Sequence, residues 1–158
     1  MNLRKFFLTV GFSGLSPKAP GTVGSFVSLI IGLFLLQFLH VSTLFLLSLL
    51  VTVIAIKQID IYEKEVGAHD SSEIVIDELA GMWIALSICG INSSNFVIMA
   101  VLTFVFFRIF DIWKPSIIGK IDRDVKGGLG VMGDDVIAGI AAGIASAGVY
   151  QLIEKFIL

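Results

Sequence analysis

Five long apolar segments dominate this sequence and restrict it to a narrow range of folds. They run over residues 22–39, 43–56, 78–91, 96–110 and 135–153. Hydrophobic residues make up 56% of the 158-residue chain and charged residues only 15%, so a soluble domain of this size would lack the polar surface that it needs. The sequence therefore predicts an all-α integral membrane protein with about five membrane-embedded helices.

The apolar segments differ in length. A straight helical span takes about 20 residues, which the first and last segments provide. We expect the three shorter ones to be tilted, extended by their flanks or shielded by neighbouring helices. No repeat or composition change divides the chain, so residues 1–158 are predicted to form a single membrane-embedded domain. The basic N-terminus precedes an apolar run that is short and interrupted, and we expect it to be retained rather than cleaved as a signal peptide.

Charged residues concentrate on one side of the predicted bundle. If the connections alternate between two sides of the membrane, one side holds residues 1–21, 57–77 and 111–134. Ten of the eleven Lys and Arg residues and twelve of the thirteen acids lie on or next to that side. Loop Lys and Arg concentrate in the cytoplasm, so this side is predicted to be cytoplasmic. The net charge of −2 argues against a nucleic-acid partner, and no sequence feature specifies an oligomeric state. The only cysteine, Cys89, excludes an internal disulfide and is expected to be buried.

Two of the four polar motifs lie where an apolar segment begins. The glycine- and proline-rich stretch 11–25 would present backbone N–H groups to an anion, with Lys18 adding charge, or it is simply a turn that leads into a helix capped by Thr22 or Ser25. Asp77 and Glu78 start the third segment, about 100° apart on a helix, where both can reach one polar cavity. The simpler alternative is that these acids complement the helix dipole.

The other two motifs flank the loop after the fourth segment. Arg108, Asp111 and Lys114 follow at spacings of three, which predicts one helical face, either as a salt-bridged helix end or as a carboxylate between two phosphate-binding cations. Asp134 and Asp135 precede an apolar helix that they can cap, although capping needs only one acid. The glycines before them are predicted to form a tight loop.

Together these acids form a chemically specific set. Ionisable residues at membrane helix ends are usually functional, and oxygen ligands without a Cys/His set favour Mg²⁺ or Mn²⁺ over zinc. Nearby Arg and Lys side chains suit a phosphate ester that bridges metal and protein. The sequence therefore predicts a metal site for a phosphate-bearing substrate at the charged face.

Four stretches then resemble the phosphatidylglycerophosphatase A family in sequence and in order: GLSPKAPGTVGS, IVIDELAGMW, FRIFDIWKP and GGLGVMGDDVIAG. They extend from residue 14 to residue 139, nearly the whole chain. The resemblance implies a Mg²⁺-dependent phosphatase of the bacterial inner membrane, with its active site facing the cytoplasm. It also implies the reaction, hydrolysis of phosphatidylglycerophosphate to phosphatidylglycerol and phosphate.

The resemblance also supplies candidate residues, which we interpret in three groups. The catalytic and metal-binding candidates are Asp77, Glu78, Asp111, Asp134 and Asp135, and the candidates for phosphate binding are Ser16, Lys18, Thr22, Arg108 and Lys114. Asp70 and Asp122 are secondary candidates. Attack by water is expected, with Asp135 or Glu78 as candidates for orienting it.

Other functions fit less well. An aspartyl-phosphate loop at Asp122 would require a parallel sheet, which the sequence does not predict. A CDP-alcohol phosphotransferase has a different acid spacing, although another membrane phosphotransferase or a phosphatase for another lipid phosphate remains an alternative. A cation channel would carry polar groups through the bilayer midplane, whereas segments 22–39 and 96–107 carry almost none.

Overall fold

The computed structural model describes residues 3–67 and 71–156, and every regular element within those ranges is a helix. In chain order the helices are α1 (Leu3–Leu8), α2 (Pro20–Leu35), α3 (Val41–Val66), α4 (Ile76–Ile88), α5 (Phe96–Trp113), α6 (Ile117–Asp124) and α7 (Gly128–Phe156), with a 3₁₀ turn at Ser13–Leu15 between the first two. The all-α prediction is confirmed.

Three of these helices are long and apolar enough to cross a membrane. They are α3, α5 and α7, with 26, 18 and 29 residues. They expose many large apolar side chains, such as Leu50, Val101 and Leu152, which suits a lipid environment. The predicted first span is too long, because α2 ends at Leu35 after 16 residues, about 24 Å of helix.

Helix α4 is short because it lies inside the bundle rather than against lipid. It has 13 residues, contacts α2, α3, α5 and α7, and buries every residue from Glu78 to Leu86. A helix surrounded by protein does not have to span the hydrocarbon layer. Of the three alternatives offered for the shorter apolar segments, segment 78–91 is therefore the one that neighbouring helices shield from lipid. Cys89, just beyond α4, is buried and free as predicted.

Two glycines allow α4 and α7 to cross at backbone contact. A β-carbon on Gly139 would collide with the carbonyl oxygen of Gly81, and one on Gly81 would lie 2.6 Å from the carbonyl oxygen of Asp135. Small residues at such crossings let membrane helices approach closely. The crossing brings the first turn of α4 beside Asp135.

The starts of two helices differ from the sequence prediction. Helix α7 begins at Gly128, so Asp134 and Asp135 lie inside it and cap nothing, and the predicted glycine loop is helical. Neither Thr22 nor Ser25 caps α2. Ala19, the residue just before α2, has a left-handed backbone conformation, and no side chain caps the helix. Pro20 is the first helical residue, and its ring already restricts φ to a helical value.

Helix ends meet at one end of the bundle as the alternating loops predict. The first turns of α2 and α4 and the last residues of α5 line one pocket together with α7. Helix α3 ends at the same side, where Asp60 contacts the start of α7. The end of α2 and the start of α3 line a separate cavity at the other end, with residues 91–93.

Candidate active site

A cavity of about 210 Å³ opens at the charged end of the bundle. Among the described residues, its walls carry six carboxylates and the ammonium group of Lys114. The acids are Asp77, Glu78, Asp111, Asp122, Asp134 and Asp135. All five acids predicted as catalytic are therefore brought to one cavity, along with the secondary candidate Asp122.

Three of these acids form the tightest cluster. Asp77, Glu78 and Asp135 each offer a carboxylate oxygen, and these oxygens lie within 4.8 Å of one another. Glu78 and Asp135 are only 8% and 3% exposed. Helix α4 contributes the first two acids and α7 the third, through the glycine crossing described above.

The cluster has the properties of a divalent cation site. Asp77 Oδ1, Glu78 Oε2 and Asp135 Oδ2 are buried, with no hydrogen-bond partner among the described residues. Buried carboxylates without partners repel one another and lose hydration, which a cation would offset. Oxygen-only donors match the preference of Mg²⁺. The residues present therefore fit the metal that the sequence predicts.

Asp134 lies beside the cluster and is bound to a cation. Lys114 donates to Asp134 at 2.7 Å and also to Asp122 on α6. Burial by itself would lower the pKa of Lys114, but its hydrogen bonds to the two carboxylates raise the pKa above its ordinary value. Asp134 keeps a second buried oxygen, Oδ1, without a partner in the described chain. An ammonium group and a free carboxylate oxygen thus face the same cavity.

Lys114 reaches this position through an unusual backbone. It follows the last residue of α5 with φ 45° and ψ 56°, the left-handed region that ends helices. Pro115 cannot continue the helix, as predicted. Lys114 therefore lies beyond the last helical residue and pairs with Asp122 and Asp134, whereas Arg108 pairs with Asp111.

Arg108 is held by three oxygen groups. Its guanidinium donates to Ser25 Oγ at 3.1 Å and to Thr22 Oγ1 at 3.2 Å. It also forms an ion pair with Asp111, and both side chains are mostly buried. The predicted salt-bridged helix end is therefore present, and α2 supplies its two hydroxyl groups.

The start of α2 forms another wall of the cavity, through Pro20 and Gly21. A β-carbon on Gly21 would lie 2.5 Å from Glu78 Oε1, so glycine allows that carboxylate to approach. The first N–H groups of a helix have no carbonyl partner within it and attract anions. This wall fits the anion cradle predicted for stretch 11–25.

Four of the five predicted phosphate contacts do not line this cavity: Ser16, Lys18, Thr22 and Arg108. Ser16 donates to the carbonyl oxygen of Lys18 at 2.9 Å, and neither residue lines the cavity. Thr22 lines a neighbouring groove and accepts a hydrogen bond from Arg108. The secondary candidate Asp70 and the loop residue His69 lie outside the described residues.

Sequence reasoning missed several cavity residues. Ser71 and Ser72 line the cavity just before α4, and Gly130 lines it from α7. The two serines precede the acids in HDSSEIVIDE, a signal that was available in the sequence. The sequence pattern predicts that Gly130 lies in a loop, but α7 begins earlier, at Gly128, and includes it.

A carboxylate-rich cavity with adjacent cations, set at one end of a membrane bundle, defines a class: membrane-embedded enzymes that act on charged lipid headgroups. Comparison with known proteins identifies the family. Residues 6–150 match the family model described as Phosphatidylglycerophosphatase A, and the chain belongs to this family. The resemblance drawn from the four motifs is confirmed, and the protein is a phosphatase that acts on a lipid phosphate.

Curated relatives cover most of the chain. A protein of Escherichia coli (strain K12) named Phosphatidylglycerophosphatase A is 43% identical over 139 residues, 87% of this chain and 78% of the relative. A protein of the same name from Haemophilus influenzae is 38% identical over 136 residues, 85% of this chain and 82% of the relative. A Bacteroides thetaiotaomicron protein, provisionally named a phosphatidylinositol-3-phosphatase, is 39% identical over 132 residues, 81% of each chain. No solved structure matches the chain.

Proposed function

We propose that the protein hydrolyses the phosphomonoester of phosphatidylglycerophosphate at the acidic cavity, releasing phosphatidylglycerol and inorganic phosphate. The observation that carries this proposal is the cluster of Asp77, Glu78 and Asp135, with Lys114 on the same cavity, in a chain of this family. Anionic groups alone would repel a phosphate. Phosphate binding therefore requires the cations of the chain together with a metal ion.

Asp77, Glu78 and Asp135 would hold Mg²⁺, because their oxygens converge and lack other partners. Mg²⁺ supplies positive charge that stabilises the phosphate oxygens during phosphoryl transfer. Asp111 and Asp134 have different roles in this proposal, since each already contacts a cation of the chain. The predicted set of five ligands is thus narrowed to three.

The chain's own residues then perform three tasks. Lys114 and the backbone N–H groups of Gly21 and Thr22, at the start of α2, bind the oxygens of the terminal phosphate. Asp134, through its free Oδ1, accepts a proton from the attacking water as the new P–O bond forms. The ester P–O bond breaks, and the leaving glycerol oxygen takes up a proton from surrounding water, to which Asp134 afterwards loses the proton that it accepted. Lys114 keeps Asp134 oriented through their 2.7 Å contact.

The central test is phosphate release from phosphatidylglycerophosphate by purified protein with and without Mg²⁺. Asp135→Asn should lower kcat by about a hundredfold or more and weaken Mn²⁺ binding, measured by electron paramagnetic resonance. Asp124→Asn is the matched control, because Asp124 is exposed on α6 outside the cavity. Unchanged Mn²⁺ binding in Asp135→Asn would contradict the metal site, whatever the activity.

Substrate choice needs a direct comparison. The relative provisionally named a phosphatidylinositol-3-phosphatase makes phosphatidylinositol 3-phosphate the informative alternative substrate. We expect a higher kcat/KM for phosphatidylglycerophosphate, because its phosphate lies on a flexible glycerol that can enter a cavity of about 210 Å³. A preference for the inositol lipid would reassign the substrate while retaining the phosphatase reaction.

The proposed location is the bacterial inner membrane, with the cavity facing the cytoplasm. Support comes from the excess of Lys and Arg at the cavity end. In a Cys89→Ala background, Lys120→Cys at the cavity end should react with an impermeant maleimide only after cell lysis. Ser93→Cys, exposed at the other end, should react in spheroplasts. The reverse pattern would invert the topology.

A further inference from the structure

A lipid-facing groove of about 540 Å³ runs between α2 and the end of α5. Its walls are apolar, from Phe104 and Val105 to Trp113, except at two positions. Those positions are Thr22 and Arg108. A second groove, of about 510 Å³ between α1, α2, α3 and α4, has no charged residue among its described lining residues. Ionisable side chains in membrane-embedded segments usually mark functional sites, and Arg108 lines this groove although it is already paired with Asp111.

Arg108 stands between this groove and the acidic cavity. It lines the groove, and its ion-pair partner Asp111 lines the cavity. On α2 the same boundary falls between Gly21, which lines the cavity, and Thr22, which lines the groove. The two spaces are therefore neighbours that share one wall.

Arg108 has donor capacity left for an anion. A guanidinium carries five N–H donors, and the described bonds go to Ser25, Thr22 and Asp111. The side chain is 14% exposed and lines the groove. Its Nε is buried, whereas Nη2 donates one N–H to Thr22 and keeps a second for an anion. An anionic oxygen in the groove would meet both this guanidinium and the Thr22 hydroxyl.

Phosphatidylglycerophosphate carries two phosphates of different kinds, separated by a glycerol. One is the terminal monoester that is hydrolysed, and the other is the diester that joins the headgroup to diacylglycerol. We propose, resting on the function proposed above, that the diacylglycerol part lies in the α2–α5 groove with its diester phosphate on Arg108 and Thr22. The terminal phosphate then passes the shared wall into the acidic cavity.

This arrangement gives Arg108 a specific role. It binds the phosphate that stays on the lipid, whereas Lys114 binds the one that leaves. The product phosphatidylglycerol keeps the groove-bound half of the substrate. It should therefore bind to the groove without any catalysis, which allows binding to be tested separately from activity.

The first test narrows the groove with Val105→Phe and compares it with Val101→Phe. Both valines are exposed on α5 one turn apart, at 45% and 56%, and only Val105 lines the groove. Val105→Phe should raise the KM for phosphatidylglycerophosphate by about fivefold or more while kcat stays within about twofold. Val101→Phe should match the unaltered protein. Equal KM values for the two variants would overturn the groove assignment.

The second test measures binding through Trp113, one of two tryptophans in the chain. Trp113 is 75% exposed and lines the groove, whereas Trp83 is 7% exposed. Phosphatidylglycerol with brominated acyl chains should quench Trp113 at a mole fraction about fivefold below that for brominated diacylglycerol. Arg108→Lys, which keeps the charge but loses the planar fork, should reduce this difference. Trp113→Phe is the control that removes the reporter.

The outcomes separate the two proposals. If the unaltered protein releases no phosphate from phosphatidylglycerophosphate, the proposed function fails. If it is active but phosphatidylglycerol and diacylglycerol quench Trp113 equally, the diester site on Arg108 is wrong and the proposed function stands.

Discussion

Asp60, on α3, accepts a hydrogen bond at 2.7 Å from the backbone N–H of Gly128, the first residue of α7. The two residues are far apart in sequence, so the start of α7 is capped by another helix. Gly127, just before it, has φ 71°, a conformation that glycine adopts at little cost. This contact lies at the first residue of α7, the helix that carries Asp134 and Asp135.

Loss of this cap should destabilise the protein. Asp60→Ala is expected to lower the free energy of unfolding by about 1 kcal/mol, as for other helix caps. Asp60→Asn keeps an oxygen acceptor and should lose less than half as much. Thermal unfolding in detergent measures both variants. Equal stability of Asp60→Ala and the unaltered protein would show that the cap contributes nothing.

The glycine crossing should be intolerant of a single methyl group. Gly139→Ala would force α7 away from the backbone of α4 at Gly81, separating Asp135 from Asp77 and Glu78. We expect loss of activity and a folding defect of about 2 kcal/mol or more from the overpacking. Gly148→Ala on the same helix has open space around its β-carbon and should be neutral or slightly stabilising. Phosphate release and thermal unfolding of both variants provide the comparison.

Lys114 should be needed for activity more than for stability. Lys114→Gln removes the ammonium group that faces the cavity and should lower kcat/KM for phosphatidylglycerophosphate by about a hundredfold. Lys120→Gln changes an exposed lysine on α6 and should leave kcat/KM unchanged. Similar losses in both variants would point to a general charge effect and away from a specific contact.

Glu73 should make stability depend on pH. It accepts a hydrogen bond from Tyr62 on α3 and pairs with Lys5 at 2.9 Å, joining α1 and α3 to the segment before α4. The hydrogen bonds from Tyr62 and Lys5 hold the pKa of Glu73 below its ordinary value of 4.5. A carboxylate with a lowered pKa stabilises the fold above that ordinary value, and the contribution is lost as the pH falls through the pKa in the folded state.

Glu73→Gln should therefore be less stable than the unaltered protein at pH 7, by up to about 1 kcal/mol at this partly exposed site. The difference should shrink as the pH is lowered below 4.5. Unfolding in detergent at a series of pH values measures it, with the exposed Glu154→Gln as control. A difference that does not change with pH would mean that the ionised carboxylate is not the source.

The helical membrane fold could be predicted because it depends on local composition. Apolar runs long enough to cross a bilayer form helices wherever their partners lie, since backbone groups in lipid must bond within the segment. The sequence predicts an apolar segment over residues 43–56, whereas α3 extends to Val66, because the polar residues after the apolar segment remain helical. Segment 78–91 became the buried α4, which hydrophobicity alone does not distinguish from a lipid-facing span.

The sequence by itself determined that the acids and cations gather at one end of a membrane bundle, because apolar segments alternate the sides of their polar connections. Tertiary structure decided which acids meet. Asp135 joins Asp77 and Glu78 because Gly81 and Gly139 let two helix backbones touch, while Asp111 and Asp134 pair with Arg108 and Lys114. The carboxylate cluster and the Lys114–Asp134 pair join distant parts of the chain, whereas Arg108 and Asp111 pair within α5, as their spacing predicts. A helix start capped from α3 leaves no signal in its own local sequence. Helix packing therefore assembles the three-carboxylate cluster and the Lys114–Asp134 ion pair, which local sequence does not specify.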